Sequence, residues 1–204
     1  MLHVDVTYGN VALERAERMA KSVVLAQPMA LRLDYPGGAT EAWVSALVAG
    51  LLKATGIPSA LETGAFQGHT TVWLAQALRD MGGGDLHVAE LDPARADDVA
   101  AAVASLELSQ TVHTQVHVQD ALTVIQRLPD QSLGLAFLDD DHTMAHVAEE
   151  IEAVWPKIAS GGIITFHDVF GVCDLQRIVR QYGGYALDFP RCGPAGGLGL
   201  LQVR

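Results

Sequence analysis

From Pro58 onward the chain alternates between two hydrophobic rhythms. Short apolar runs, each followed by a turn, are separated by stretches whose apolar residues recur three and four positions apart. The first pattern predicts buried strands and the second predicts helices with one apolar face. Strands are predicted at Ser59–Thr63, Leu86–Glu90, Val112–Val118, Leu133–Leu138 and Ile163–Phe166. Between them, Thr70–Met81 reads as a helix with Val72, Ala75, Leu78 and Met81 on one face, stopped by Gly82-Gly83-Gly84. Asp92, with Pro93 at the first helical position, starts a helix that runs to about Leu106. Asp120 caps a short helix holding Leu122, Ile125 and Leu128. Met144, Val147, Ile151, Val154 and Ile158 share a face of a helix expected to end at Gly161-Gly162. A last helix falls at about Val172–Tyr182, and Tyr185–Phe189 and Leu198–Val203 close the chain as strands.

Strands that alternate with helices make parallel βαβ units, hence an α/β, doubly wound sheet. The two closing strands have no helix between them and predict an antiparallel pair. Upstream the pattern is weaker. Val11–Val24 reads as helical, and Pro28 and Tyr35-Pro36-Gly37-Gly38 mark irregular chain. Thr40 is expected to cap a helix over Glu41–Thr55 that Gly56 ends. Residues 1–57 thus read as a helical lid segment and residues 58–204 as the main domain, within one compact unit.

Half of the 204 residues are hydrophobic, enough for a sizeable core. The chain carries 24 acidic against 13 basic residues, a net charge of −11, and its only lysines are Lys21, Lys53 and Lys157. Counterion release needs clustered cations, so nucleic acid and anionic membranes are not the expected partners. Two cysteines, Cys173 and Cys192, are too few for a disulfide scaffold and fit a reducing cytoplasm. No apolar stretch approaches the ~20 residues that a bilayer requires. The first residues lack the basic-then-apolar layout of a leader. A cytoplasmic location is expected.

Ligands of such sheets sit at the carboxyl ends of the strands. The first strand runs into Glu62-Thr63-Gly64-Ala65-Phe66-Gln67-Gly68-His69-Thr70, a glycine turn with a carboxylate at the strand tip. Gly64 and Gly68 either let a ligand approach the backbone or serve tight packing. A dinucleotide fingerprint needs glycine in the middle of the turn, and Phe66 stands there. Glu90 ends the second strand, where a carboxylate can accept both hydroxyls of a ribose. Asp120, the helix cap after the third strand, could also meet an adenine amino group. The fourth strand ends in Asp139-Asp140-Asp141-His142 and the fifth in His167-Asp168. Adjacent carboxylates repel unless a cation or donors answer them. Asp139, His167 and Asp168 can converge on one cation. The alternative is capping and turn chemistry, with Asp141 or Thr143 as a helix cap and His167 as a hydrogen-bonded packing residue. His87, His113, His117 and His146 read as structural face residues.

With these residues in place, the chain resembles class I S-adenosylmethionine-dependent methyltransferases over roughly residues 58–204. The nearest types are the small O-methyltransferases of the catechol and caffeoyl-coenzyme A kind and the macrocin O-methyltransferase group. Glu62–Gly68 is similar to that family's first motif, Leu138–Thr143 to its fourth-strand motif and Gly161–Val169 to its fifth-strand motif. The resemblance implies a Rossmann-like seven-stranded sheet with the last strand antiparallel. It places Glu62, Gly64, Phe66, Gly68, Glu90, Asp120 and Asp139 around S-adenosylmethionine. Gly64 would lie under the methionine moiety, Glu90 on the ribose and Asp120 near the adenine. It also implies a divalent cation at Asp139, His167 and Asp168, usually magnesium.

His167 replaces the usual carboxylate, which makes manganese, or no metal, conceivable. His142 stands where a basic lysine often serves, and is the expected general base. The expected acceptor is a small-molecule hydroxyl, and a homodimer is compatible with the sequence. Two other readings stay open. One is a nicotinamide-dependent oxidoreductase, against which Phe66 and the absence of a Tyr-x-x-x-Lys pair count. The other is a non-catalytic cofactor-binding protein, against which the intact acidic cluster counts.

Overall fold

The computed structural model describes residues 40–106, 111–171, 175–189 and 196–204. The expected helix over Val11–Val24 and the turn at residues 35–38 lie outside the described residues. The chain order is α1 (Ala42–Thr55), β1 (Ser59–Thr63), α2 (His69–Asp80), β2 (Gly84–Glu90), α3 (Pro93–Ala104), β3 (Val112–Val118), α4 (Ala121–Arg127), β4 (Leu133–Leu138), α5 (Met144–Val154), β5 (Ile158–His167), α6 (Gln176–Gln181), β6 (Tyr185–Leu187) and β7 (Leu198–Gln202).

The strands form one seven-stranded sheet in the order β3-β2-β1-β4-β5-β7-β6. β1 to β5 are parallel, and β7 runs antiparallel to both β5 and β6. This is the expected doubly wound α/β sheet, and the terminal antiparallel pair is there. Chain order reverses between β1 and β4, so a crevice opens at their carboxyl ends.

β4 is buried along its whole length, which is why its sequence is apolar without alternation. Leu135 and Phe137 face a layer with α1 and α2, through Val48, Leu52, Val72 and Leu78. Ala136 and Leu138 face a layer with α4, α5 and α6, through Ile125, Ile151 and Ile178. The helix of the first segment therefore shares the main core. Among the described residues no helix is long and apolar enough to cross a membrane.

Three expectations about elements need correction. The helix through Met144 ends at Val154, and Trp155–Lys157 forms a single 3-10 turn. Pro156 lacks an N–H and cannot continue the α-helical ladder. Ile158 accordingly begins β5, and Gly161-Gly162 lie inside that strand instead of ending a helix. Thr40 is not the cap of α1; Glu41 occupies that position and makes no side-chain cap bond. Thr40 instead donates its hydroxyl to Asp139 Oδ2 at 2.6 Å. Gly82–Gly84 do not all lie outside the sheet, because β2 starts at Gly84. The caps at Asp92 and Asp120 are as expected. Asp92 accepts from the Ala94 N–H and Asp120 from the Thr123 N–H, both at 2.9 Å.

Gly64 has a left-handed backbone (φ +71°), and a Cβ there would overlap the Asp139 carbonyl and the Asp140 Cα. The glycine lets the turn after β1 lie directly on the end of β4. Gly56 has nearly the same φ (+69°), but nothing lies within 4 Å of the place of its Cβ. The pair separates backbone strain from overlap. Gly56→Ala should cost roughly 1–2 kcal/mol, the strain alone. Gly64→Ala should cost roughly 2–5 kcal/mol, because displacement of β4 adds to the strain. Urea unfolding of both variants checks this; equal losses would mean that the β1 turn is not wedged against β4.

Candidate active site

The crevice between β1 and β4 widens into a cavity of about 780 Å³ lined from the carboxyl ends of all five parallel strands and from the start of α1. Its floor is the turn after β1. Phe66 there has a positive φ of 53°, uncommon for a side chain of that size. Its N–H donates to Glu90 Oε2 at 2.8 Å, and the Asp92 N–H donates to Glu90 Oε1 at 3.0 Å. Two backbone donors thus fix the Glu90 carboxylate at the rim, and each oxygen keeps a lone pair for a ligand. The Arg95 guanidinium sits over the Phe66 ring, 4.6 Å from its centroid. Gly68 packs on α3 beside Val99, so both turn glycines serve packing within the chain.

Glu62 is 1% exposed yet lines the cavity. Burial, joined by the charges of Asp139 and Glu90, pushes its pKa up to about 8, against hydrogen bonding with Thr71. The strand-tip carboxylate expected from the sequence is therefore a neutral carboxylic acid near pH 7.

The end of β4 meets the end of β5 through histidines. His167 is 7% exposed. Its Nε2 lies 2.9 Å from Glu41 Oε2, and its Nδ1 lies 3.3 Å from Asp139 Oδ1 and 3.3 Å from Asp168 Oδ1. Burial alone would lower its pKa; the bonds to Asp139 and Glu41 and the Asp139 and Asp168 charges instead hold it at about 10. His167 is thus an imidazolium with a carboxylate at each ring nitrogen. His142 Nε2 sits 3.1 Å from Asp168 Oδ2 and 3.9 Å from Asp139 Oδ1. The Asp168 bond raises its pKa above the ordinary value, against burial. His142 and His167 in turn hold the Asp168 carboxyl below its usual range despite burial. Asp168 has a φ of +54°, so two of the three non-glycine residues with left-handed backbone, among the described residues, lie in this site.

The structure gathers most of the sequence-predicted residues around one cavity: Glu62, Gly64, Phe66, Glu90, Asp120, Asp139, His142, His167 and Asp168 all line it. Asp120 stands at its edge, exposed, with its carboxylate taken up by the Thr123 N–H and hydroxyl. The three residues expected to hold a cation, Asp139, His167 and Asp168, are already in contact with one another. Both nitrogens of His167 already face carboxylates, and Asp139 accepts from Thr40 as well. Donors thus answer the charges, and the three residues form a hydrogen-bonded ion cluster. Among the described residues, the set whose donor atoms lie within 4.8 Å of one another is Asp140, His146 and Glu150.

Sequence reasoning missed Thr40, Glu41, His69 and His146 in the cavity wall. His69 Nδ1 lies 2.8 Å from the Thr40 carbonyl, which fastens the start of α1 to the glycine turn. Nothing in the local pattern marks Thr40 or Glu41. His146 and Glu150 carry a visible signal, an i,i+4 pair just after three aspartates.

Comparison with known proteins agrees with this architecture. Residues 61–169 match the family model described as a methyltransferase domain. The chain belongs to that family. A Mycobacterium tuberculosis protein named "Probable O-methyltransferase" is 31% identical over 153 residues, 73% of this chain and 64% of its own length. The chain thus spans just under two thirds of that relative. The fold recurs in solved structures. One is the O-methyltransferase TomG from Streptomyces achromogenes in complex with S-adenosylmethionine (TM-score 0.62, 21% identity, 84% of each chain). Another is an O-methyltransferase from Bacillus cereus in complex with S-adenosylhomocysteine (TM-score 0.62, 20% identity, 81% of each chain). Neither the oxidoreductase nor the non-catalytic reading gains support from these likenesses.

The state of Glu62 sets a pH dependence. The unfolded chain loses this proton near pH 4.5, whereas the folded chain keeps it to about pH 8. In that window the native state binds more protons, so stability falls as pH rises, by up to about 1.4 kcal/mol per pH unit. Glu62→Gln should remove this part of the decline. Urea midpoints from pH 5 to 8 should fall less steeply for the variant than for the wild type; parallel curves would mean that Glu62 is ionised in the folded protein.

Proposed function

We propose that the protein transfers a methyl group from S-adenosylmethionine to a hydroxyl of a small molecule. The observation that carries the reading is the conjunction at one crevice of a backbone-fixed Glu90 at the end of β2 and, across β1, a histidine–carboxylate cluster at the ends of β4 and β5. The family and the names of the relatives support it. Glu90 accepts the two ribose hydroxyls. Gly64 and Glu62 bound the methionine end, where a neutral Glu62 hydrogen-bonds without adding charge. Asp120 and Leu91 stand at the adenine end.

Methyl transfer is an in-line displacement at a sulfonium carbon. The carbon–sulfur bond breaks as the acceptor oxygen bonds to the methyl group, and the sulfonium becomes a neutral thioether. The chain must align the oxygen and accept its proton. His142 is the base in this reading. It is held at Nε2 by Asp168 and opens onto the cavity. It works only in its neutral form, so the rate rises with pH through a midpoint above the ordinary histidine value. Asp139 and Asp168 stabilise the imidazolium that forms. His167, already charged, fixes Asp139 and Asp168 in place.

Calorimetry with S-adenosylhomocysteine and with NAD tests the cofactor. S-adenosylhomocysteine should bind and NAD should not. Glu90→Ala should weaken S-adenosylhomocysteine binding by roughly 1.5–3 kcal/mol; unchanged affinity would remove Glu90 from the ribose. With a true acceptor, His142→Ala should lower turnover by on the order of 10²–10⁴ and abolish the acid limb of the rate profile, with cofactor affinity unaltered. Near-normal turnover would move the base elsewhere.

A further inference from the structure

Glu150 is an anomalous carboxyl group one helical turn behind the wall residue His146. It lies on α5 at 0% exposure, neither of its oxygens meets a donor at good hydrogen-bond geometry, and burial, joined by the Asp140 charge, pushes its pKa up to about 9. A buried carboxyl without donors is costly and calls for a companion. Its polar neighbours meet that need only in part. One is the Asp140 carboxyl, a like charge at the end of β4. Another is the buried Thr63 hydroxyl, whose interaction with the carboxyl lowers its pKa without offsetting burial. The third is His146, one turn earlier on the same face of α5, whose Nε2 lies 3.8 Å from Glu150 Oε2 and 3.1 Å from Asp140 Oδ2.

We propose that Asp140, His146 and Glu150 form a binding site for a divalent transition ion of the zinc or manganese type. The donor spacing suits it. Bonds of about 2.0–2.1 Å at tetrahedral angles put ligand atoms about 3.3 Å apart, and the distances from His146 Nε2 bracket that value. Two carboxylates and one imidazole match the preferences of zinc and manganese. Two negative charges balance a dication, and the buried oxygens of Glu150 gain the partner they lack. Asp140 and His146 line the cavity, so the ion has an entry path and a position open to water. The ion would cross-link the end of β4 to α5 and so hold the turn that carries Asp139, Asp141 and His142. This site is distinct from Asp139, His167 and Asp168 and does not depend on the methyl-transfer reading.

The test uses the full chain, dialysed against chelator and titrated calorimetrically with zinc chloride and with manganese chloride. One equivalent of at least one ion should bind and raise the melting temperature. His146→Ala and Glu150→Gln should each weaken that binding by at least about 10–100-fold, the loss that even a supporting residue of a metal site causes. His167→Asn should leave it intact. S-adenosylhomocysteine binding, measured on the same samples, reports separately on the cofactor reading. The proposal is overturned if neither ion binds stoichiometrically. It is equally overturned if binding survives His146→Ala undiminished, or if it follows His167 instead. Were Glu150→Gln to unfold, Asp140→Asn and His146→Ala would carry the same comparison.

Discussion

Negative charge at the carboxyl ends of buried strands has to be answered, and the geometry of this site follows from the different answers found there. Glu90 is answered by two backbone N–H groups. Asp139 is answered by a hydroxyl and an imidazolium. Asp141 takes the N–H of Thr143, which holds its carboxyl below the usual range. Asp168 is shared by two histidines. Glu62 escapes the problem by keeping its proton. Because almost every answer comes from a different element, the charges pull the ends of β1, β2, β4, β5 and α1 onto one cavity.

The fold was legible because β4 and its neighbours are buried on both faces, whereas helices such as α3 and α5 are buried on one face only. Continuous apolar runs and 3–4 periodicity then separate cleanly. The misreading at α5 shows the limit. Ile158 keeps the helical spacing of Met144 to Val154, yet Pro156 forbids the ladder and turns the chain into β5. Periodicity reports which side of an element is apolar; it is silent on whether the backbone hydrogen bonds can close. Thr40 looked like a cap because caps are local, but its hydroxyl is spent on Asp139, a residue 99 positions away.

The site was legible wherever a functional residue sits at a strand end, since topology alone brings strand ends together. Glu62, Glu90, Asp139, His142, His167 and Asp168 all met in this way. What the sequence could not show was protonation and pairing. Whether three aspartates in a row call for a metal or for histidines depends on distances set by the packing of α1 and β5. The role of Glu41 depends on a contact with His167, 126 positions away, that no local pattern announces.

The link between α1 and the cavity has a thermodynamic corollary. Thr40 and Glu41 dock this helix by bonding to Asp139 and His167, the same groups that face any molecule inside. Occupancy and docking are therefore coupled equilibria, and coupling is reciprocal. A molecule that competes for Asp139 must loosen the start of α1, and one that makes favourable contacts with the docked Thr40 or Glu41 tightens it. Affinity in this cavity is set partly by how firmly a helix outside the parallel core is fastened, so it can drift through changes on α1 that never touch the bound molecule.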